Sequence, residues 1–349
     1  MTGRAVALQG GLALLGLAAA YFTWQRQPEL QPGEVFVFDI TKNDLEKIRF
    51  DDGDAKTWVE LQLSSDENGS FVALRLSQRE APEAKKPTPT PTPGKPTPER
   101  VVRGSDAAKT LYQRFAPLRA TRALGVLDQA KLKDLGLAAT KKQITVVTRS
   151  GRRVFDLAPA PLGATDPYLR DQSDGRVFVV PRSILSDFQA ATTSLVEHHL
   201  HGFRLEDADR ASLAAGSVKK EYRVAHAADG RGVEIASTGA ADKPDPAART
   251  WHERAFGLWA SESLGKGEMP VEGEPQARLR LDYSAHGRSL GWLVLAEAPF
   301  TPVESVSSST PAPKKLFYAR SESTLGWVKL SGDTDSLVAD GVKLAGGKP

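Results

Sequence analysis

Residues 107–125 read AAKTLYQRFAPLRATRALG and residues 247–265 read AARTWHERAFGLWASESLG, an ungapped pair in which 8 of 19 positions are identical. Unrelated stretches of this composition would share roughly one or two positions. The apolar residues Leu111, Phe115 and Leu118 recur at helical spacing. Ser105 and Asp106 are suitable N-caps, and Pro117 ends or kinks the helix. Leu111 and Leu118 map onto Trp251 and Leu258, so the second stretch keeps the face that would be buried.

The flanks repeat in the same order. The segment from Ile144 to Leu157, with its Ser150-Gly151-Arg152 turn, matches Leu279 to Leu295 with His286-Gly287-Arg288. The strand ending at Val180 matches Trp327 to Leu330. Upstream, Asp44 to Lys47 match Asp207 to Arg210 at a spacing of 163 residues, against 140 for the helix. The excess falls where the first copy holds a Pro/Thr tract, as a surface insertion would. That tract, within a loop spanning 81–104, is too rich in proline for a helix or central strand and reads as an extended surface loop. A Pro-rich docking ligand is the alternative, but no aromatic residue stands beside the prolines.

Local signals fill in the rest. Alternating strands are expected over Glu34 to Phe38, Ile48 to Phe50, Val59 to Leu63 and Phe71 to Leu76, with Asn68-Gly69 as a two-residue hairpin turn. Asn68-Gly69-Ser70 also spells a glycosylation acceptor, which the hairpin makes unnecessary. Ser150-Gly151 and Asp174-Gly175 mark two more hairpins. A short helix is predicted from Asp128 to Leu135, stopped by Gly136, and another from Pro181 and Ser183 to about Val196. The fold class is therefore α+β, with an N-terminal transmembrane helix followed by two duplicated units of mainly antiparallel sheet with packed helices. The expected units span 34–196 and 197–340, after an anchor in 1–27 and before a tail in 341–349.

Composition narrows the function. The 349 residues carry 46 Lys+Arg against 43 Asp+Glu, a net charge of +3 that is too small for a surface tracking nucleic acid. The absence of Cys excludes disulfides, thiolate metal sites and Cys nucleophiles. At the amino end, Arg4 precedes an apolar stretch from Ala5 to Trp24, long enough as a helix to span roughly 30 Å of hydrocarbon. Tyr21, Phe22 and Trp24 close it with rings suited to the headgroup level. The expectation is a single-pass bacterial inner-membrane protein with a cytoplasmic amino terminus and its bulk in the periplasm. A cleaved signal peptide, with Ala18-Ala19-Ala20 before the cut, is the alternative.

Leu118-Arg119-Ala120-Thr121-Arg122, Leu132 to Leu137, Ile144-Thr145-Val146 before Gly151, and Leu162-Gly163 with Tyr168-Leu169 before Val177 to Val180 together carry a likeness. In this order and behind an anchor, they resemble the bacterial family catalogued as domain of unknown function 4340. The resemblance covers most of 34–340. It implies a membrane-anchored extracytoplasmic protein working beside an ABC transporter of the gliding-motility type, with permease or auxiliary subunits, or an envelope component, as partners. It brings no catalytic residues. The chain departs from the pattern in its Pro/Thr insertion and in a second half without a counterpart to the Asp128–Leu135 helix.

Candidate chemistry is sparse. Glu197-His198-His199-Leu200-His201 offers three imidazoles for Zn²⁺ or Cu²⁺, but His198 and His199 cannot share one face of a helix or strand. A solvated connector between the units is the preferred reading of these residues, with metal binding the alternative. Gly287-Arg288-Ser289-Leu290-Gly291 spells the nucleophile elbow of hydrolases, yet it lies in a predicted hairpin with no helix following. No phosphate-binding loop is present, and the acidic cluster Asp333 to Asp335 suits a helix cap. The expected function is a non-catalytic binding or assembly subunit without metal or cofactor. An envelope hydrolase using Ser289, or a free periplasmic binding module, are the competing readings.

Overall fold

The computed structural model describes residues 16–17, 33–77, 99–161, 163–227, 232–238, 243–270, 273–298 and 315–347. The first half begins with strands β1 (Val35–Phe38), β2 (Leu45–Asp52), β3 (Thr57–Asp66), β4 (Gly69–Ser77) and β5 (Glu99–Arg103). Helix α1 (Asp106–Arg114) follows, then β6 (Leu118–Ala120), β7 (Arg122–Val126) and α2 (Gln129–Asp134). The half closes with β8 (Lys142–Thr148), β9 (Gly151–Ala158), β10 (Tyr168–Asp171), β11 (Arg176–Val179) and α3 (Arg182–Gln189). The second half holds β12 (Arg210–Ala215), β13 (Val218–His226), β14 (Val233–Ser237), α4 (Pro246–Phe256) and β15 (Ala260–Ser263). It ends with β16 (Gln276–Ala285), β17 (Arg288–Ala298), β18 (Leu316–Ser321), β19 (Val328–Leu330) and α5 (Thr334–Leu344).

These strands make a nine-stranded sheet ordered β5-β4-β3-β2-β8-β9-β10-β11-β7, an eight-stranded sheet ordered β14-β13-β12-β16-β17-β18-β19-β15, and a β1-β6 pair. Every pairing is antiparallel, and the helices make the fold α+β. Alternation decides which face each strand buries. On β2, Leu45, Ile48 and Phe50 enter a core with Leu111 and Phe115 of the α1 region. The opposite face carries Lys47, Glu60, Arg75 and Glu99 on successive strands, paired at 3.1, 3.8 and 3.5 Å, so it stays compatible with water. The second sheet has its own core, with Leu213, Leu281, Leu293 and Leu295 packed beside Trp251 and Leu337.

Turns and caps obey the local chemistry. The β16–β17 connection places His286 at φ 51° and Gly287 at φ 76°, the two positive angles of the tightest hairpin turn. Asp245 caps α4 by accepting from the Ala248 N–H at 3.0 Å, with Pro246 in the first turn. Asp333 caps α5, and its hydrogen bonds with Ser336 hold the carboxyl below its usual range. Hairpins form at all three expected places, but the first two turn one residue earlier than the spelling predicts, over Glu67-Asn68 and Arg149-Ser150, with Gly69 and Gly151 already paired in the following strands.

Several expectations are corrected. The helix starting near Pro181 ends at Gln189 and gives way to a wider π turn over Ala191–Leu195, so it does not run on to Val196. The loop expected over 81–104 closes earlier, because Glu99–Arg103 pairs with β4. Residues 78–98, with most of the Pro/Thr tract, lie outside the described residues. So does the anchor expected over Ala5 to Trp24, apart from Gly16 and Leu17. Among the described residues no helix is long and apolar enough to cross a membrane. The longest of them, α4 and α5, have 11 residues each, roughly half the length a span requires. The single-pass inner-membrane placement, with a periplasmic bulk, is therefore withdrawn.

Candidate functional site

The connector between the halves is not the solvated segment its spelling suggests, since Val196 and Leu200 are buried in it. Glu197 N–H donates to the Arg103 carbonyl at 2.9 Å, tying the connector to the β5 edge. On its other side the Ala260 N–H donates to the His198 carbonyl at 3.0 Å, and His199 forms an antiparallel bridge with Trp259. One extended segment is thus held between an edge of each sheet. Leu195, Val196 and Leu200 are buried along it.

The three histidines separate. The His198 ring lies against the carbonyls of Ala260 and Thr193 at 2.8 and 3.1 Å and stacks on Trp259. A neutral ring can donate to only one of these oxygens. His199 is exposed and contacts Glu197 at 3.0 Å. His201 turns inward: its side chain is 2% exposed, stacked on Phe256 and edge-on to Phe203 and Tyr283. Among the described residues no group of three or more His, Cys, Asp or Glu is placed to hold a metal ion.

Glu322, which the sequence does not single out, organises this interior. Its Oε1 accepts from His201 Nδ1 at 3.0 Å and from the Gly202 N–H at 3.2 Å, and its Oε2 accepts from the Trp292 N–H at 2.9 Å. Gly291 makes room for it, since a Cβ there would lie 2.4 Å from the Glu322 carboxyl carbon and 2.6 Å from Phe203. The Glu322 main-chain carbonyl accepts from Asn68 Nδ2 at 3.4 Å and Arg103 at 3.5 Å, both from the first half. Arg103 also pairs with Asp66 and lies over the Phe71 ring. Beside this node, Arg100 joins Glu262 and Glu268 at 3.1 and 3.0 Å. Glu322 thus ties His201, Gly202 and the Trp292 main chain together in the interior, while the His201 Nε2 is buried with no hydrogen-bond partner among the described residues.

Deeper in the second core, burial pushes His252 down to about 4, partly offset by Asp245, and raises the Tyr222 phenol to about 12. Burial also raises Tyr283, whose hydroxyl lies 3.4 Å from His252 Nδ1. These groups are held uncharged within the core.

The hydrolase motif resolves into hairpin geometry. Ser289 is exposed on β17 opposite Ser284, and a strand follows it instead of the helix a nucleophile elbow needs. The open cleft it lines, about 300 Å³, has no histidine in its wall. Gly287 serves the turn and Gly291 serves Glu322. A glycine in the middle of a strand was the available signal for that close approach.

No protein-family model, no curated protein and no solved structure matches the chain.

Proposed function

We propose that the chain is a non-catalytic assembly subunit of an ABC-type, gliding-motility-like transport complex, built from two copies of one α+β module. The observation that carries the duplicated reading is agreement of register. In the first sheet Ala123 stands opposite Phe178, and in the second Ser263, its partner in the ungapped alignment, stands opposite Val328. The match continues through Leu169 opposite Leu157 and Ala319 opposite Leu295, and through Phe155 opposite Ile144 and Leu293 opposite Leu281.

Side chains support the same pairing. Arg114 of α1 reaches Ser183 and Asp187 of α3 at 3.0 and 3.3 Å, while Arg254 of α4 reaches Ser336 and Asp340 of α5 at 3.3 and 3.9 Å. Volume is exchanged across the cores: Leu111, Phe115 and Phe188 in one correspond to Trp251, Ala255 and Gly341 in the other. Outside the main cores, Leu124, Ala158, Tyr168 and Val177 cluster under α2 in the first unit, and Leu264, Ala296, Tyr318 and Trp327 cluster at the same register in the second. Two modules joined through the connector and the Glu322 node present broad sheet surfaces, which suits holding partners better than turning over a substrate. The transport assignment itself comes from the family resemblance.

The test is isolation of the tagged full chain after mild crosslinking in its source cells. Transport ATPase, permease or auxiliary subunits are expected with it. Recovery of none of these, or hydrolysis by the purified chain that Ser289→Ala abolishes, would overturn the reading.

A further inference from the structure

The strands that end the two sheets at the same place in their orders, β15 and β7, are treated differently. In the eight-stranded sheet the last strand, β15, is covered: the Ala260 N–H bonds the His198 carbonyl, and the connector lies along the strand. In the nine-stranded sheet the strand at the same place in the order is β7, and it is also terminal. Among the described residues, β7 pairs with β11 only, and no main-chain group of another segment bonds its outer edge. Ala123 and Val126 are exposed, Val126 at 70%. β7 is short, five residues, with a bulge at Leu124 between the paired Ala123 and Gly125, so the stretch of edge it offers is confined to the main chain around Arg122 and Ala123.

Charge at the edge differs in a way that selects an occupant. The β15 position aligned with Arg122 is Glu262, and it meets Arg100 of the opposing element at 3.1 Å. Arg122 reverses that sign, is exposed, and has no ion-pair partner among the described residues. Arg176 stands at the far end of the same ladder, opposite Val126. Arg176 is already paired with Asp174 at 2.7 Å, so Arg122 is the cation left to this edge among the described residues.

We infer that the β7 edge takes an extended, acidic strand from a partner protein, adding it to the sheet as the connector is added at β15. Main-chain bonds would supply affinity, and a carboxylate facing Arg122 would supply selection. The inference rests on the assembly reading above and names the surface that assembly uses.

A photo-crosslinking residue placed at Ala123 of the full chain, with one at exposed Leu63 as control, tests it in the source cells. The expected result is a crosslink from Ala123 alone, into a segment of another polypeptide in which Asp or Glu alternates with apolar residues. Arg122→Glu should lower its yield roughly tenfold or more, as loss of a charge-assisted contact does, while Arg122→Lys preserves it. A crosslink into a second copy, or into residues 1–32 of the same chain, would overturn the inference. So would its absence while transport subunits still co-isolate, an outcome that leaves the assembly reading standing. If the unsubstituted chain brings down no partner at all, both fall.

Discussion

At the scale of single residues, Glu322 shows how a buried carboxylate is accommodated by converging donors. Three donors converge on it, and removing the carboxylate strands them in the interior. Glu322→Ala is expected to cost about 3 kcal/mol or more of unfolding free energy in urea titrations, whereas Ser289→Ala should change it by less than about 0.5 kcal/mol. His252 gives a second test. Its folded pKa lies near 4 against an ordinary 6.5, so below 6.5 the unfolded chain binds a proton that the folded chain refuses. Stability is therefore lost as pH falls from 6.5 towards 4, by up to about 3 kcal/mol if burial alone sets the shift. Denaturation curves across this range should flatten in His252→Phe relative to the unsubstituted protein.

At the scale of elements, the helices pack through complementary sizes. A Cβ on Gly341 would lie 2.5 Å from Trp251 and 2.6 Å from Leu279. Gly341→Ala should destabilise by roughly 1–3 kcal/mol through overpacking. In a Trp251→Leu background, which restores the residue found at Leu111, the same substitution should cost less. A double-mutant cycle followed by thermal unfolding measures this coupling. Independence of the two sites would argue against the packing and against the volume exchange between the halves.

At the scale of the whole molecule, the halves are joined by hydrogen bonds and ion pairs more than by a shared apolar core, since the two main clusters are separate. Arg100, Arg103 and Asn68 supply the first half's side of that junction. Replacing Arg100 and Arg103 together by Ala should split one calorimetric transition into two. A transition that stays single would place the coupling in the connector's main-chain bonds alone.

Much of the fold was legible in the chain order because its causes are local. Asn68-Gly69 marks a hairpin to within one residue, Ser105-Asp106 marks a helix start, and the alternation of Ile48 and Phe50 sets which face of β2 is buried, whereas the bulge that brings Leu45 to the same face is not spelled locally. The likeness of 107–125 to 247–265, on which the proposed duplication rests, is visible in the chain itself. The candidate site was not legible in this way. His201 and Glu322 lie far apart along the chain, and nothing near either announces the other. The histidine run looked like a solvated connector or metal site because spelling alone cannot tell an exposed polar segment from one clasped between two sheet edges. Only packing of the finished sheets makes that distinction, since it determines where water is excluded and which polar atoms must find partners inside.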